Sequence, residues 1–324
     1  MSIIVFGSIN IDLAAKTPRL PLPGETIIGS NFFTAGGGKG ANQAVAAARL
    51  GTFTHMMGCV GNDKFAEELL TNLQSYGVNT DNVSIDQNSH SGVAIIAVDD
   101  SGQNNIIVIP GANNNVGEAD IERLKKLLPG ATALLLQLEI TLEVVQRAAF
   151  MAREAGVRVI LDPAPACSDL PLEIYRLIDI ITPNEVEAGQ LVGFAVNNPE
   201  TAILAAKQLQ ERGVENVIVK LGDRGAVAVT ADETFFVPPF AVDAIDTVAA
   251  GDAFNGGLAA ALDGGLSLSE AVLWGSAAGA LCTTKAGAQV AMCDRTTLDK
   301  FLQHNLDKTA VETAPTQTMS ASAD

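Results

Sequence analysis

Aromatic residues and cysteines are scarce in this chain of 324 residues. Aromatic side chains make up 5% of it, and the four cysteines show neither metal-ligand spacing nor a Cys-x-x-Cys pair: Cys59, Cys167, Cys282 and Cys293. A disulfide-stabilised extracellular fold and a cysteine-ligated zinc site are therefore not indicated. We expect reduced, mostly structural thiols and a cytoplasmic location.

Positive charge and long apolar runs are missing as well. The chain has 20 lysines and arginines against 37 aspartates and glutamates, for a net charge of −17. This excess of negative charge argues against nucleic acid or an anionic membrane as a main partner. No apolar run approaches the ~18 residues that a membrane-spanning helix needs, and the first residues lack the basic region of an export signal. We therefore expect a soluble protein that acts on a small molecule.

A run of small residues between two carboxylates is the most informative feature that is present. Residues 245–254 read Ile-Asp-Thr-Val-Ala-Ala-Gly-Asp-Ala-Phe and lead into a Gly- and Ala-rich helical stretch. At Ala249, Ala250 and Gly251 a phosphate could approach the backbone N–H groups of a helix N-terminus. Asp252 would lie beside it, where a carboxylate repels phosphate but can act as a base on an attacking hydroxyl. The alternative is a first-turn carboxylate that only complements the helix dipole.

A second glycine cluster at residues 35–49, Ala-Gly-Gly-Gly-Lys-Gly-Ala-Asn-Gln-Ala-Val-Ala-Ala-Ala-Arg, also leads into an Ala-rich helix. It is not a Walker A loop, since Gly40 follows Lys39 where that motif needs Ser or Thr. The first predicted strand, residues 3–6, is not followed by the glycine fingerprint of a dinucleotide site. Instead Asn10 and Asp12 follow it, at the strand end where α/β proteins bind ligands, which makes them candidate hydroxyl binders.

The alternation of short β-branched runs with Ala-, Leu- and Glu-rich segments predicts βα units around a parallel sheet. Buried strands are predicted at 133–138, 157–161, 178–182 and 217–220, and covering helices at 142–155, 199–212 and 269–281. Residues 12–35 and 89–115 alternate apolar and polar residues around turn signals, which predicts antiparallel hairpins. Beyond about residue 306 the composition is that of a frayed tail.

Six ordered motifs together resemble the ribokinase branch of the PfkB carbohydrate kinases. Besides residues 37–42 and 246–252, they are Gln-Leu-Glu at 137–139, Asp-Pro-Ala-Pro at 162–165, Thr-Pro-Asn-Glu-Val-Glu at 182–187 and Leu-Gly-Asp-Arg-Gly at 221–225. The resemblance spans residues 3 to about 303. It implies a three-layer α/β/α core with a mainly parallel sheet, formed by residues 1–11, 36–88 and 116–306. It also implies a small β lid, residues 12–35 and 89–115, often shared across a homodimer. Residues 307–324, beyond the resemblance, are predicted from their composition to be a flexible tail.

The resemblance also implies roles for individual residues. Asp252 would be the general base for the sugar's primary hydroxyl, and the backbone of Ala249, Ala250, Gly251 and Asp252 would form an anion hole for the transferring phosphoryl group. The residues at the family's sugar-contacting positions are Asn10, Asp12, Gly38, Lys39, Asn42, Glu139 and Asp252.

The nucleotide and metal positions follow from the same resemblance. Nucleotide positions are Asn184, Glu187, Lys220, Gly222, Gly225, Gly251 and Ser276, of which Asn184 and Glu187 would organise Mg²⁺ through water. Asn184 could equally be a helix N-cap, and Gly222 and Gly225 a plain hairpin turn. A potassium site would comprise Asp246, Val248, Cys282, Lys285, Gly287 and Ala291, where Ala291 replaces a hydroxyl residue.

The implied function is ATP-dependent phosphorylation of the 5-hydroxyl of D-ribose, with Mg²⁺ and a monovalent cation. Two alternatives stay open: another kinase of the same family, acting on fructose or a nucleoside, and a noncatalytic sugar-binding regulator. A dinucleotide oxidoreductase is disfavoured because its glycine fingerprint is missing.

Overall fold

The structure, a computed structural model, describes residues 1–312 and, for side chains, residues 1–305. Thirteen strands lie in this part of the chain: β1 (Ser2–Phe6), β2 (Asn10–Thr17), β3 (Asn31–Gly37), β4 (Thr54–Gly61), β5 (Asn79–Asp86), β6 (Gly92–Asp99), β7 (Asn104–Ile109), β8 (Ala131–Leu136), β9 (Arg158–Leu161), β10 (Ile180–Ile181), β11 (Asn216–Lys220), β12 (Ala226–Val229) and β13 (Thr234–Val237). The α-helices of the described residues are α1 (Lys39–Arg49), α2 (Lys64–Ser75), α3 (Glu118–Leu127), α4 (Leu142–Glu154), α5 (Leu172–Tyr175), α6 (Glu185–Val192), α7 (Pro199–Glu211), α8 (Ala250–Asp263), α9 (Leu268–Thr283) and α10 (Arg295–Glu312).

Nine strands form the large sheet, in the order β13-β12-β11-β10-β9-β8-β1-β4-β5. The seven strands from β11 to β5 pair in parallel, whereas β12 and β13 add an antiparallel hairpin at one edge. Parallel strands are buried on both faces, and this explains why they appear in the sequence as short continuous apolar runs. Their carboxyl ends meet at one edge of the sheet.

Successive residues of β1 show how the sheet divides the core, because side chains alternate between the two faces of a strand. Ile4 and Phe6 pack with residues of α3, α4, α6 and α7 on one face. Ile3 and Val5 pack with residues of α1, α2, α8 and α9 on the other. The predicted three-layer α/β/α architecture is confirmed, and the strands and helices predicted in the core are present with ends shifted by up to two residues.

A smaller sheet of four strands, ordered β3-β2-β6-β7, lies beside the core. It consists of two antiparallel hairpins, β2–β3 and β6–β7, joined by parallel pairing of β2 with β6. The predicted hairpins are therefore present, and we call this sheet the lid. Residues Gly111–Asn115, assigned to the lid from sequence, instead form a 3₁₀ turn whose Ala112 and Asn113 are buried, with Ala112 in the core.

The boundary of the predicted tail also differs from the structure. Helix α10 continues through Glu312, six residues into the segment predicted to be a flexible tail. Residues 306–312 contain neither proline nor glycine, and the first proline beyond them is Pro315, so nothing in their composition ends a helix at 306. The rest of the predicted tail, residues 313–324, lies outside the described residues. Within the described part of the chain, no helix is long and apolar enough to cross a membrane.

Candidate active site

The N-terminus of α8 lies at the centre of the site and has no side-chain cap. Its N-cap residue, Ala249, has a left-handed backbone with φ 59°, a conformation that alanine seldom adopts. The amide of Ala250 donates to Thr247 O at 3.3 Å. The amides of Gly251 and Asp252 fall in the first turn, where a helix offers no acceptor of its own. The amides of Gly251 and Asp252 are therefore the ones placed to meet an anion, and the predicted anion hole stays a prediction.

Asp252 is 6% exposed and two carboxamides hold its carboxylate. Asn42 Nδ2 donates to one oxygen at 2.9 Å, and Gln43 Nε2 donates to the other at 3.2 Å. Burial raises the pKa of Asp252 to about 6, the charge of Lys39 works against that rise, and the charge of Asp162 adds to it. A carboxyl group with a pKa just below neutrality suits a general base.

The glycine loop, the glycine-rich start of the cluster at residues 35–49, brings the start of α1 against the end of β1. Gly38 has φ 88°, and a Cβ there would lie 2.8 Å from the backbone nitrogen of Asn10, so only glycine fits. Glu139, which follows β8, accepts a hydrogen bond from the backbone N–H of Lys39 at 3.0 Å and another from the Ser8 hydroxyl. The predicted sugar-binding Glu139 thus also caps α1.

Asn10 and Asp12 lie on β2, where the lid meets the core. Asn113 Nδ2 donates to Asn10 Oδ1 at 2.7 Å, so Asn10 is fixed and its own N–H groups are available to a ligand. A Cβ on Gly37 would lie 2.4 Å from the carboxylate oxygens of Asp12, and glycine there makes room for that carboxylate. Burial and the nearby charges of Glu139 and Asp252 raise the pKa of Asp12 to about 7.

Lys39 is a cation surrounded by four carboxylates. Burial alone would lower its pKa, but the nearby carboxylates outweigh burial and raise it; they are those of Asp252, Asp162, Glu139 and Glu187. The ammonium group therefore stays charged, and it offsets part of the negative charge that would otherwise repel a phosphate.

Lys220 brings a second ammonium group to α8 from the end of β11. Its Nζ lies 3.0 Å from Asp162 Oδ1, with the lysine side chain 13% and the aspartate side chain 3% exposed. A Cβ on Gly251 would lie 3.3 Å from the same Nζ, so the charge sits against the first turn of α8. The nucleotide role of Lys220 stays a prediction.

The other predicted nucleotide residues lie in defined local structures. Asn184 and Glu187 form a reciprocal capping box at the start of α6, with both hydrogen bonds at 2.8 Å, so the capping alternative is confirmed. Gly222 and Gly225, with φ 58° and 89°, form the turn after β11. Ser276 Oγ in α9 is buried and has no hydrogen-bond partner among the described residues. Its contact with a nucleotide stays a prediction.

The residues of the predicted potassium site come together beside α8. The Asp246 carboxylate accepts from the backbone N–H of Val248 at 3.0 Å and from that of Gly287 at 2.9 Å. The Cys282 thiol donates to Val248 O at 3.7 Å, and the backbone N–H of Lys285 donates to Cys282 O at 3.4 Å. Ala291 is buried nearby in the 3₁₀ turn Gln289–Ala291, and it contributes no hydroxyl. The carbonyls and one carboxylate here are oxygen donors that suit a hard cation.

Beyond this geometry, the chain matches a known protein family over most of its length. The model of the pfkB family carbohydrate kinases matches residues 1–295. The chain belongs to the PfkB family.

Curated relatives and solved structures in the PfkB family cover nearly the whole chain. Ribokinase of Haemophilus influenzae is 40% identical over 303 residues, which are 94% of this chain and 99% of that protein. Deoxyribokinase of Salmonella typhi is 41% identical over 79% of this chain and 84% of its own. Arabidopsis thaliana ribokinase, solved with ribose and ATP, is 33% identical with a TM-score of 0.86, covering 93% of this chain and 98% of that one.

Five polar residues that form hydrogen bonds within the site were assigned no role from the sequence. Gln43 directly follows Asn42, and Gln137 and Asp162 belong to motifs that mark the PfkB family, so the order of motifs held a signal for these three. Asn113 and Gln289 had none: Asn113 lies in a segment predicted to be lid, and Gln289 Nε2 reaches Asn42 Oδ1, at 3.2 Å, across 247 residues of chain.

Proposed function

We propose that this protein is an ATP-dependent kinase that phosphorylates the 5-hydroxyl of D-ribose. The observation that carries this proposal is the buried Asp252, with its pKa raised to about 6, in the first turn of an uncapped helix beside the glycine loop. The 40% identity to a ribokinase over 94% of the chain supports ribose as the acceptor.

In this proposal Asp252 takes the proton from the primary hydroxyl as its oxygen attacks the γ-phosphorus of ATP. The amides of Gly251 and Asp252 stabilise the charge that develops on the equatorial phosphoryl oxygens, together with Lys220 and the dipole of α8. Asn10, Asp12, Lys39 and Glu139 hold the remaining sugar hydroxyls, because carboxylates accept and amides and ammonium groups donate.

Magnesium would enter with the nucleotide and neutralise phosphate charge. Among the described residues, no group of three or more His, Cys, Asp or Glu side chains could hold a metal by itself. Magnesium keeps several of its waters and needs few protein ligands. Glu187, which is buried and within range of the Lys39 and Lys220 charges, would hold it through water, with Asn184.

A panel of sugars with ATP, read by ADP release, tests the proposal directly. D-ribose, 2-deoxy-D-ribose, D-fructose and a nucleoside each probe one candidate acceptor. 2-Deoxyribose is included because a deoxyribokinase is as similar in sequence as the ribokinases. Ribose should give the highest kcat/KM. No sugar-dependent ADP release with any acceptor would refute a kinase, and preference for 2-deoxyribose would replace ribose as substrate.

Replacing Asp12 by asparagine should separate sugar binding from stability. The variant should raise the KM for ribose by roughly 10- to 100-fold, since a charged hydrogen-bond acceptor is lost, with little change in the KM for ATP. The raised pKa of Asp12, about 7, means that its contribution to stability is present at low pH and lost as pH rises through 7. Asp12→Asn should therefore raise the melting temperature of the sugar-free protein at pH 8 more than at pH 5. An equal rise in melting temperature at pH 5 and pH 8 would contradict the effect of Asp12 on stability. An equal rise in the KM for ATP would contradict its assignment to the sugar site.

Potassium should raise activity over sodium or tetramethylammonium at constant ionic strength. An ion beside Asp246 would steady the loop that carries Ala249 and Gly251, and so act through preorganisation. Because Ala291 supplies no hydroxyl, we expect the apparent affinity to be weak. Asp246→Ala should abolish the stimulation by potassium. Because this substitution also removes two hydrogen bonds from backbone N–H groups, the activity of each protein in tetramethylammonium is its own baseline. Equal activity in all three salts would refute the site.

We also propose a homodimer that forms through the lid, in the cytoplasm. Strand β7 is exposed along its whole length, and large apolar side chains of the lid face solvent: Phe32, Phe33, Ile95, Ile106, Ile107 and Val108. An apolar surface of this kind marks an interaction site. The four free cysteines fit a reducing compartment. A monomer mass in sedimentation equilibrium at micromolar concentration would contradict the dimer, and recovery outside the cytoplasmic fraction would contradict the location.

A further inference from the structure

One buried carboxamide, that of Gln43 in α1, contacts two carboxylates at once. Its Nε2 donates to Asp162 Oδ2 at 3.0 Å and to Asp252 Oδ1 at 3.2 Å. Its Oε1 accepts from Gln137 Nε2 at 2.7 Å. Since charged carboxylates can only accept, the amide nitrogen must face them, and the orientation of Gln43 is fixed by its partners. The side chains of all four residues are buried.

The contact of Gln43 with Asp162 extends to the nucleotide side of the site. The other oxygen of Asp162 pairs with Lys220 Nζ at 3.0 Å, and that ammonium group lies against Gly251 at the start of α8. A continuous hydrogen-bonded path therefore runs from the base Asp252 through Gln43 and Asp162 to Lys220. Its two ends are the groups that face the sugar hydroxyl and the phosphate in the proposed reaction.

We propose that Gln43 is a positioning residue that aims the carboxylate of Asp252 and couples it to the Asp162–Lys220 pair. The proposal rests on the kinase function proposed above and assigns Gln43 a role that it performs through Asp252 and Asp162. Asn42 holds the second oxygen of Asp252 at 2.9 Å, so the two carboxamides together fix the plane of the carboxylate. The orientation of the Asp252 carboxylate matters because proton transfer requires the base to lie within hydrogen-bonding distance of the hydroxyl.

The coupling has a direction. When Lys220 turns from Asp162 toward an entering phosphate, Asp162 loses its cation and becomes a stronger hydrogen-bond acceptor. The shared amide of Gln43 then shifts toward Asp162 and stabilises the charged form of Asp252 less. Both changes, the weaker hydrogen bond and the uncompensated charge of Asp162, make Asp252 a stronger base. Arrival of the nucleotide would therefore activate the base for the sugar.

Several charged or titratable groups surround Asp252 or the groups that act on it, and any pH measurement includes their effects. They come from α1, the lid, the ends of three sheet strands, α6 and α9: Lys39, Asp12, Glu139, Asp162, Lys220, Glu187 and Cys282. A substitution of Gln43 leaves all of them in the chain. The change it causes in the pH profile can thus be assigned to the lost amide.

The test compares Gln43→Met with wild type and with Gln74→Met as a matched control. Methionine keeps the length of the side chain but removes both N–H donors. Gln74, on α2, donates a hydrogen bond to Thr80 Oγ1 at 2.7 Å, away from the site, so its substitution removes one ordinary hydrogen bond. Asp252 becomes more basic in Gln43→Met but loses the donor that fixes its orientation, and the second effect should dominate. We therefore expect kcat to fall by roughly 10- to 100-fold, the value of hydrogen bonds to a charged group, while the KM for ribose changes less than about threefold. The control should keep wild-type kcat.

The acidic limb of the pH profile of kcat distinguishes positioning from a structural role. Loss of a donor to the charged form raises the pKa of Asp252, so the limb should move to higher pH in Gln43→Met and not in Gln74→Met. Gln43→Glu, which adds a third carboxyl group, should move the acidic limb to still higher pH. It replaces the methionine variant in this test if that variant folds poorly. A lower melting temperature with an unshifted limb would overturn the role of Gln43. Wild-type protein without ribose-dependent ADP release would overturn the kinase function and this role together.

A double-mutant cycle tests the coupling itself. Asp162→Asn alone should lower kcat, and its effect should be much smaller in the Gln43→Met background if the two residues act through one path. Independent, multiplicative losses would show that Asp162 and Gln43 act separately, and the coupling would be wrong.

Discussion

Replacing Asp252 by asparagine is expected to lower kcat by about 10²- to 10⁴-fold while ribose and ATP still bind. Asparagine keeps the size and shape of the side chain and can still contact Asn42 and Gln43, but it cannot accept a proton. In wild-type protein, kcat should also fall as pH decreases through about 6, because the raised pKa of Asp252 leaves the base protonated there. The small residual rate of the variant should lack this limb.

Isothermal titration with ribose and steady-state kinetics of the same preparation provide the measurement. Binding within a few-fold of wild type together with the lost turnover would assign Asp252 to chemistry. Near-wild-type turnover at saturating ribose would show that Asp252 is only a first-turn carboxylate, as the alternative reading of residues 245–254 allowed. Asp263→Asn, at the other end of the same helix, is the matched control.

The parallel sheet could be predicted because its strands are buried on both faces, and burial leaves short apolar runs in the sequence. Even the shortest strand fits this rule. Strand β10 comprises only Ile180–Ile181, yet Asp179 N donates to Val159 O at 3.1 Å and Thr182 N to Leu161 O at 3.0 Å, so the pairing covers most of the predicted segment. The lid hairpins were predicted from a different pattern, the alternation of apolar and polar residues around turn signals.

The geometry of the site was much less predictable, for two physical reasons. Hydrogen bonds such as Gln43–Asp162 and Gln43–Asp252 join residues 119 and 209 positions apart, and a single sequence holds no distance information across such spans. The left-handed backbone at Ala249 cannot be predicted either, since an alanine in the sequence gives no sign of a positive φ.

Two residues with predicted ligand roles, Glu139 and Asn184, have structural hydrogen bonds for a related reason. Glu139 and Asn184 are polar residues at the ends of strands, where both ligands and helix N-termini need acceptors. In the structure Glu139 accepts from the amide of Lys39, and Asn184 accepts from the amide of Glu187 at 2.8 Å. A residue type at a strand end therefore predicts that a hydrogen bond will be made there, but not with which partner.

Replacing Lys220 by methionine is expected to lower kcat/KM for ATP by about 10²- to 10³-fold, the usual loss when a donor to the developing charge is removed. In a chain of net charge −17, Lys220 brings an ammonium group close to the start of α8, and Lys39 brings another near Asp252. The KM for ribose should change little, because Lys220 lies on the phosphate side. Lys220→Arg should recover part of the activity, since it restores the charge with a different shape.

The methionine variant also leaves Asp162 buried without its cation, which by itself destabilises a fold by about 3–5 kcal/mol. The double variant Lys220→Met/Asp162→Asn removes that stranded charge and separates the two effects. If Lys220 acts on the phosphate, the double variant should regain melting temperature but stay at least about tenfold below Asp162→Asn alone in kcat/KM for ATP. Lys207→Met, on the exposed side of α7, controls for the loss of one positive charge from the protein. If the double variant instead matched Asp162→Asn, Lys220 would serve only as the structural partner of Asp162.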